Sequence, residues 1–542
     1  MRRLLPWYKR TGHTEGSSSK KGKRKMKRLR WIWQGDGYLR LTILMAVVAS
    51  LVSFLYFYSN NLTLLHVDTE AHLMIAKRVV DSLAPGFAQL GGVWPPLQHF
   101  LMLPFVWNDF MYWSGLAGSI VSMASYVLAT VFIYKIALLL TEDKGAGLVA
   151  AFIFAINPNV LYMQSTPMSE LLSICSIVAT VYYLMKWSQD VNKLQYLFGT
   201  ALAIFLATLT RYETWALLLA VVAVLLYIFI KNRFSYYKIE GHLVYFGALA
   251  GFGILLWLLW CQVILGDFLY FQRSEYALRR FEEVIGERFV GDLYLSTLVY
   301  SLAVVKDAGV ASSLLGIAGL AYFLISTRFK ANKISTLVLL FPLPFFVVAL
   351  YGGQLPIHVP GIAGISGDMY NIRYGLMAIP AVVLFAGYLT KKRVWLKALV
   401  VIGVTAGTVM MFHTNNIITL NDHLAVRASE KHVHQGFVAK WFSQNYDEGY
   451  VLMENNGNEQ IVFESRIPMR NFIYEGSDRY WEPALKNPQD FVDWVFMRGE
   501  AEPSLYGPDK VWKALHGTPQ LLENYDLFYQ DKKVEIYKRK TE

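Results

Sequence analysis

The first residues of this chain that could do chemistry follow an early apolar run. Asp68, Glu70 and His72 fall in the stretch Asp-Thr-Glu-Ala-His, and Lys77 and Arg78 come shortly after. Residues four apart on a helix share a face, so Asp68 and His72 could work together as an acid and a base. The structural alternative is that Asp68 caps a surface helix, a role that stabilises by about 1 kcal/mol. The stretch therefore indicates either a reaction site or a capped helix beside a membrane span.

Ionisable residues also lie at three other places where one apolar run ends and another begins. Glu170 opens an apolar segment, where a charge costs roughly 2.5 to 3.5 kcal/mol to insert and so indicates function. Arg211 and Glu213 lie in a turn between two apolar runs, and Arg373 immediately precedes another. A guanidinium can bind phosphate oxygens through two parallel hydrogen bonds. The structural alternatives are capping by Glu170, a self-satisfied Arg211–Glu213 pair and a snorkelling Arg373.

The composition is that of an integral membrane protein. The chain has 542 residues, of which 55% are hydrophobic and 17% charged, and its mean hydropathy is +0.34. The formal net charge of +11 could suggest a nucleic-acid partner, but the cations concentrate in the N-terminal tail and in short loops between apolar runs. That distribution is typical of topology signals and anionic-lipid contacts. We therefore expect membrane lipids as partners, and no nucleic acid.

The apolar runs predict an α-helical polytopic membrane protein with about eleven transmembrane helices. Several short loops on one side are basic, which places them and the N-terminus in the cytoplasm by the positive-inside rule and the longer loops outside. The expected organisation is a basic cytoplasmic tail over 1–38, a transmembrane domain over 39–413 and an extracytoplasmic domain over 425–542. The predicted spans are 39–58, 112–139, 146–163, 169–187, 195–210, 213–230, 243–265, 308–326, 334–350, 374–390 and 395–413.

Two regions outside the spans have patterns of their own. The residues after Asp68 repeat apolar side chains at helical spacing until Pro85, which predicts an amphipathic helix lying along the outer membrane surface. The segment over 425–542 is polar, and alternating patterns at 450–453 and 534–537 predict strands. A helical pattern is expected over 491–496. Together these patterns predict a small C-terminal α/β domain.

In this order along the chain, the motifs resemble those of the C-type superfamily of integral-membrane glycosyltransferases (GT-C), especially protein O-mannosyltransferases and bacterial aminoarabinose transferases. The resemblance covers roughly residues 39–413. It departs from the O-mannosyltransferases in having Thr69 between the two acids, and the terminal segment has no Trp-Trp-Asp-like signature, which argues against an oligosaccharyltransferase. The matching motifs are Asp68-Thr69-Glu70, Trp94-Pro95-Pro96-Leu97, Ser165 to Glu170, Arg211-Tyr212-Glu213 and Arg373-Tyr374.

The resemblance implies a GT-C fold with an external juxtamembrane helix and an inverting transfer of sugar from a polyprenyl-phosphate donor to an acceptor hydroxyl. Asp68 would be the general base, and Arg211 and Arg373 would hold the donor phosphate. A divalent metal ion held by Asp68, Glu70 and His72 is a further hypothesis. The expected substrate-binding residues are Glu70, His72, Lys77, Arg78, Glu170, Arg211, Glu213 and Arg373.

The acceptor could be a glycan, a lipid or a protein. The expected location is a bacterial or archaeal plasma membrane with the active site outside, or the endoplasmic reticulum if the protein is eukaryotic. The main rival function is a transporter or flippase of lipid-linked saccharides, which predicts charged or broken helices near the bilayer midplane. A scaffold or receptor is a third reading, but it leaves the clustered acids unexplained.

Overall fold

A computed structural model of the chain describes residues 36–277, 287–326, 331–362, 365, 367–499 and 509–540. The basic segment over 1–35 lies outside the described residues, and so do Arg328 and Lys330 of a loop predicted to be cytoplasmic.

Most of the described chain is helical, as predicted for a polytopic membrane protein. Six helices are long and apolar enough to cross a membrane, and the number rises to eight if each of two bent pairs is one span. The bent pairs are Tyr236–Ala250 with Phe252–Leu265, at 42°, and Leu293–Ala308 with Val310–Ser326, at 111°. The six are Gly37–Ser59, Leu116–Thr141, Glu170–Gln189, Glu213–Lys231, Ile372–Leu389 and Val394–Ala428, the last with a turn at 414–417.

The sequence predicted eleven spans, whereas six to eight helices of the described chain are long and apolar enough to cross a membrane. The remaining three predicted spans overlap shorter apolar helices, Lys144–Ala155, Leu194–Thr208 and Ser335–Tyr351. The helix Leu293–Ala308 was not expected, because its region was interpreted as part of an outer loop. Lys306 and Asp307 interrupt the apolar run there, so the predicted span began only after them.

The expected juxtamembrane helix is present over Val67–Val80. It begins at a different cap from the one predicted: the Nδ1 atom of His66 accepts a hydrogen bond from the backbone N–H of Asp68. The helix packs against both Leu97–Val106 and the short C-terminal helix Glu459–Glu464. Most of its residues are therefore buried by protein, and it is not simply an amphipathic helix on a lipid surface.

The C-terminal region forms a five-stranded sheet flanked by helices. The strands are β1 (Val451–Leu452), β2 (Phe472–Ile473), β3 (Trp494–Arg498), β4 (Tyr525–Gln530) and β5 (Val534–Arg539), in the order β2-β1-β3-β5-β4. β1 pairs in parallel with β2 and β3, whereas β5 pairs antiparallel with β3 and β4. The longest helix beside the sheet is Glu430–Asn445, and the shorter ones are Glu459–Glu464, Trp481–Lys486, Lys510–Leu515 and Pro519–Asn524. The helix Ile418–Ala428, which precedes Glu430–Asn445, packs against Pro158–Met163 of the membrane part.

The strands expected at 450–453 and 534–537 are present, but the helix expected over 491–496 is wrong. That segment leads into β3, in which all five residues are buried. A strand buried on both faces lacks the alternation that separates a strand from a helix in the sequence.

One apolar cluster joins the membrane part to the C-terminal region. Leu73 and Met74 of the juxtamembrane helix belong to the same buried cluster as Phe442, Val451 and Phe496 of the C-terminal region. Because this core is continuous, the sheet is held over the end of the helix bundle at which the juxtamembrane helix lies.

Candidate active site

Asp68 and Arg373 meet at this end of the bundle, although they are 305 residues apart in the sequence. The Nη2 atom of Arg373 donates to Asp68 Oδ2 at 2.6 Å, and Nε donates to Glu170 Oε1 at 3.2 Å. The Nη1 atom of Arg373 lies 3.0 Å from Nε2 of His66, a residue that sequence reasoning did not assign. The start of the juxtamembrane helix and the start of the helix Glu170–Gln189 thus both supply partners to one guanidinium.

Arg211 lies beside Arg373 and shares a carboxylate with it. The Nη1 atom of Arg211 donates to Glu170 Oε1 at 3.0 Å, and its Nε atom donates to Glu213. The aromatic ring of Tyr374 lies close to both guanidinium groups, 5.1 Å from Arg211 and 5.7 Å from Arg373. The two cations are held side by side because carboxylates and an aromatic face offset their repulsion.

Glu170 is positioned differently from the expectation that it holds a sugar or acceptor hydroxyl. Its side chain is fully buried, and its Oε1 atom accepts from both arginines. Its Oε2 atom has no hydrogen-bond partner among the described residues. Glu170 therefore orients the two guanidinium groups. It does not line the cavity described below, into which those groups face.

The turn that carries Arg373 is fixed by close backbone packing. Asn371 adopts a left-handed conformation (φ +56°), and the backbone N–H of Ile372 donates to Asp422 Oδ2 at 3.2 Å. A Cβ atom on Gly375 would lie 2.7 Å from the backbone of Ala303, so only glycine fits there. Arg373 thus lies in the first turn of a tight 3₁₀ segment, Ile372–Ala378, where the sequence predicted a regular span from residue 374.

His72 lies on the same face of the juxtamembrane helix as Asp68, as predicted, and lines the cavity. Its Nδ1 atom lies 2.8 Å from Nε2 of His99, and its ring packs against Trp94 at 4.8 Å between centroids. Burial lowers the pKa of His72 to about 4, so the imidazole is neutral near pH 7.

Glu70, Lys77 and Arg78 were expected at the site, but the structure turns them away from the cavity. Glu70 accepts from Arg427 at 3.4 Å, and burial raises its pKa to about 8. Lys77 donates to Asp109 at 2.7 Å and to the carbonyl of Val106. The guanidinium of Arg78 lies over the ring of Tyr474, at 5.5 Å. Residues two apart on a helix point in opposite directions, which separates Glu70 from Asp68.

A cavity of about 1490 Å³ opens in front of the two arginines. Its polar end is lined by Asp68, His72, Arg211, Glu213 and Arg373, together with Tyr370 and Tyr374. Much of the rest of its wall is apolar and comes from two membrane helices, with residues that include Leu218, Leu219, Leu340, Phe341, Leu343 and Phe345. The charged residues and the apolar residues therefore line one continuous cavity.

The hypothesis of a metal ion held by Asp68, Glu70 and His72 is not supported by their geometry. The three side chains have different partners: Arg373, Arg427 and His99, respectively. Within the described residues, no group of three histidine, cysteine or acidic side chains is close enough to hold a metal.

Sequence reasoning missed two residues that support the site. His66 begins the acidic stretch, so its place beside Asp68 was visible, but its contact with Arg373 was not. Asp422 lies in a segment between the two predicted domains, and the sequence carried no signal for it. Its role in holding the turn at Ile372 depends on a contact across 50 residues.

Comparisons with known proteins agree with this architecture. A family model described as dolichyl-phosphate-mannose-protein mannosyltransferase matches residues 96–260, a range that includes Glu170, Arg211 and Glu213. No curated protein sequence matches the chain. Among solved structures, ArnT from Cupriavidus metallidurans bound to undecaprenyl phosphate aligns over 92% of this chain and 98% of that one, at 12% identity and a TM-score of 0.57. The apo oligosaccharyltransferase of Archaeoglobus fulgidus aligns over 86% of this chain and 70% of that one, at 12% identity and a TM-score of 0.50.

The family match over part of the chain and the likeness to these structures support the resemblance to GT-C membrane glycosyltransferases that the sequence motifs indicated. The predicted fold class, a polytopic helical membrane protein with a small C-terminal domain, is confirmed as well. At 12% identity the structural likeness establishes the fold alone.

Proposed function

We propose that this chain is an inverting glycosyltransferase that moves a sugar from a polyprenyl-phosphate donor to an acceptor hydroxyl. The observation that carries the proposal is the convergence of Asp68, Arg211 and Arg373 at the polar end of a cavity whose other walls are apolar. A polyprenyl-phosphate sugar has the same division into an anionic head and a long hydrocarbon tail.

The donor fits this cavity by its chemistry. Its phosphate binds Arg211 and Arg373, because guanidinium groups form paired, charge-assisted hydrogen bonds to phosphate oxygens. Its prenyl tail lies along the apolar walls formed by the helices Glu213–Lys231 and Pro342–Tyr351. Two cations at the phosphate also stabilise the charge that develops as it leaves.

Asp68 is the group best placed to act as the general base. Its side chain is 22% exposed and lines the cavity, whereas Glu170 is fully buried behind the arginines. The acceptor oxygen attacks the anomeric carbon as the bond from that carbon to the phosphate oxygen breaks. The acceptor proton passes to the Asp68 carboxylate, and polyprenyl phosphate leaves with the bonding electrons. Attack from the face opposite the phosphate inverts the configuration of the sugar.

The charge distribution supports an extracytoplasmic site. The end of the bundle away from the cavity carries short basic segments, and there Lys397 pairs with Asp143 at 2.7 Å and Lys144 pairs with Asp36 at 3.2 Å. Lys391, Lys392 and Arg393 belong to the same end. By the positive-inside rule that end faces the cytoplasm, so the cavity opens on the other side of the membrane.

The experiment that tests the proposal is a transfer assay with Asp68→Asn. Purified protein in nanodiscs is incubated with polyprenyl-phosphate mannose and other polyprenyl-phosphate hexoses, and released polyprenyl phosphate is measured. We expect the substitution to lower turnover by about 10² to 10⁴-fold, the usual contribution of a positioned base, with an unchanged melting temperature.

Asp190→Asn is the matched control, because Asp190 pairs with Lys193 at 3.3 Å outside the cavity. That variant should turn over donor at the wild-type rate. Wild-type activity in Asp68→Asn would remove Asp68 from the base role. Movement of intact donor between leaflets, without any release of polyprenyl phosphate, would favour the flippase reading instead.

A further inference from the structure

The C-terminal region reaches the cavity through the segment that follows β1, residues 453–459, here called the β1 loop. Its last residue, Glu459, is also the first residue of the helix Glu459–Glu464. Asn456 and Glu459 of this loop line the cavity together with Asp68 and Arg373. Both are half-buried. The donor and base roles proposed above use neither residue, so their place in the cavity wall needs a separate explanation.

The β1 loop lies at a position in the sheet that favours ligand binding. β1 pairs in parallel with β2 on one side and with β3 on the other. After β1 the chain continues to β2 on one side of it, and the next strand, β3, lies on the other side. The end of β1 is therefore the point at which the strand order changes direction. In open α/β sheets, ligands bind in the crevice outside the carboxyl end of the strand at such a point.

Hydrogen bonds within the C-terminal region hold the β1 loop in one conformation. The Glu475 carboxylate accepts from the backbone N–H groups of Asn455, at 2.8 Å, and Asn456, at 2.9 Å. The side chain of Asn458 donates to the carbonyl of Glu454 at 2.7 Å. A loop fixed in this way presents its side chains to a ligand without a large ordering cost.

Three side-chain amide atoms of the β1 loop are buried without a hydrogen-bond partner among the described residues. They are Asn455 Oδ1, Asn456 Nδ2 and Asn458 Oδ1. Leaving such an atom unpaired costs about 1 to 3 kcal/mol. Of these three residues, only Asn456 is among those that line the cavity, and its side chain is half-buried there.

The charges on the two sides of the cavity differ in kind. The membrane part contributes two cations, Arg211 and Arg373, besides the carboxylates of Asp68 and Glu213. The cavity-lining residues of the described C-terminal region are Asn456 and Glu459, neither of which is a cation. An amide both donates and accepts, and a carboxylate accepts from two hydroxyls. This combination matches the adjacent hydroxyls of a sugar ring and disfavours a phosphate or another anion.

We propose that the β1 loop is the acceptor subsite and that the acceptor is a saccharide, bound through its hydroxyls to Asn456 and Glu459. This inference rests on the proposed function, in which one acceptor hydroxyl loses its proton to Asp68. The soluble region then selects the acceptor, while the membrane helices hold the donor.

Saccharide binding tests the subsite without any need for turnover. Mannotriose and maltotriose are titrated against the full chain in nanodiscs, and binding is followed by saturation-transfer NMR. Asn456→Ala and Glu459→Gln should each weaken binding by about tenfold, the effect of losing one hydrogen bond. Glu523→Gln, at an exposed residue of the same region, is the matched control and should bind like wild type.

Two outcomes of the titration would overturn the proposal: neither saccharide binds wild type, or both bind wild type and the two loop variants equally. Preferential binding of a Ser/Thr-rich peptide at the β1 loop would overturn it in favour of a protein acceptor. If Asn456→Ala fails to fold, Asn456→Asp replaces the amide donor by an acceptor with the same shape and repeats the test.

A transfer assay separates this inference from the proposed function. With polyprenyl-phosphate mannose as donor, the loop variants should raise the KM for the saccharide about tenfold more than the KM for the donor. A rise in the donor KM alone would assign the loop to the donor and overturn the acceptor subsite. If wild type releases no polyprenyl phosphate from any donor tested, the proposed function is rejected, whereas the titration still decides whether the β1 loop binds saccharide.

Discussion

The molecule contains two buried arginine clusters that are alike in chemistry and different in access. In the C-terminal region, Arg498 pairs with Glu454 at 2.8 Å and with Asp509 at 3.3 Å, and all three side chains are almost fully buried. At the candidate active site, Arg373 pairs with Asp68 at 2.6 Å and with Glu170 at 3.2 Å. The difference is that the Asp68 side chain is 22% exposed and faces the cavity.

Access decides what each cluster can do. The carboxylates around Arg498 are buried and do not line the cavity, so they hold β3 against the β1 loop and the segment at Asp509. Arg373 can exchange one carboxylate for another anion, because Asp68 lies at the edge of a space large enough for a ligand. Buried ion pairs are thus compatible with either a structural or a functional role, and the neighbouring cavity separates the two.

Breaking the closed cluster should have the largest effect on stability. Arg498→Met leaves two buried carboxylates without their partner, which costs about 3 to 5 kcal/mol. We expect a clearly lower melting temperature in detergent, measured by calorimetry or dye binding. Arg539→Met is a suitable control, since the Arg539 side chain is exposed where it pairs with Asp493 and donates to the carbonyl of Gln489. An unchanged melting temperature in Arg498→Met would mean that this cluster does not stabilise the sheet.

Breaking the open cluster should instead weaken donor binding. Arg373→Ala removes charge-assisted hydrogen bonds to the donor phosphate, and we expect the Kd for polyprenyl phosphate to rise by about 10 to 100-fold, which corresponds to about 1.5 to 3 kcal/mol. Binding can be measured by titration in nanodiscs. Arg470→Ala, at an exposed residue paired with Asp81, is the control and should bind as wild type does. An unchanged Kd in Arg373→Ala would reject its phosphate assignment and remove the contrast between the clusters.

Glu70 provides a third case for comparison with the two clusters. It is a buried carboxylate that has an arginine partner, Arg427, but it does not line the cavity. Burial raises the pKa of Glu70 to about 8 from a usual value of 4.5. Between those values the folded state holds a proton that the unfolded state has released, so stability falls as pH rises. From about pH 6 to about pH 7, this group lowers the free energy of unfolding by at most about 1.4 kcal/mol.

The measurement is the melting temperature of wild type and of Glu70→Gln across that interval. Glutamine does not titrate, so the variant should lose part of the pH dependence. Equal slopes in the two proteins would show that Glu70 does not carry a proton in the folded state. Glu482→Gln, at an exposed residue outside the cluster, should keep the wild-type slope.

The fold class and part of the site could be predicted because they depend on local patterns. Apolar runs identified the membrane helices, and the positions of Asp68, Glu170, Arg211 and Arg373 at the ends of those runs indicated one shared surface. Other features could not be predicted in this way. The charged residue Asp307 interrupts the apolar pattern of the helix Leu293–Ala308, so that helix was not predicted. The strand Trp494–Arg498 is buried at every residue and lacks the alternation of a strand, so it was predicted as a helix.

By itself, the sequence determined that this protein lies in a membrane and that its charged residues gather at the ends of apolar helices, since hydropathy and charge are read over a few neighbouring residues. Only the tertiary structure decided the partners: it set Glu170 between two arginines, turned Glu70 toward Arg427 and brought Asn456 into the cavity. Those pairings join residues tens to hundreds of positions apart, and the packing of the whole chain, including the angle at which each helix meets its neighbours, selects them.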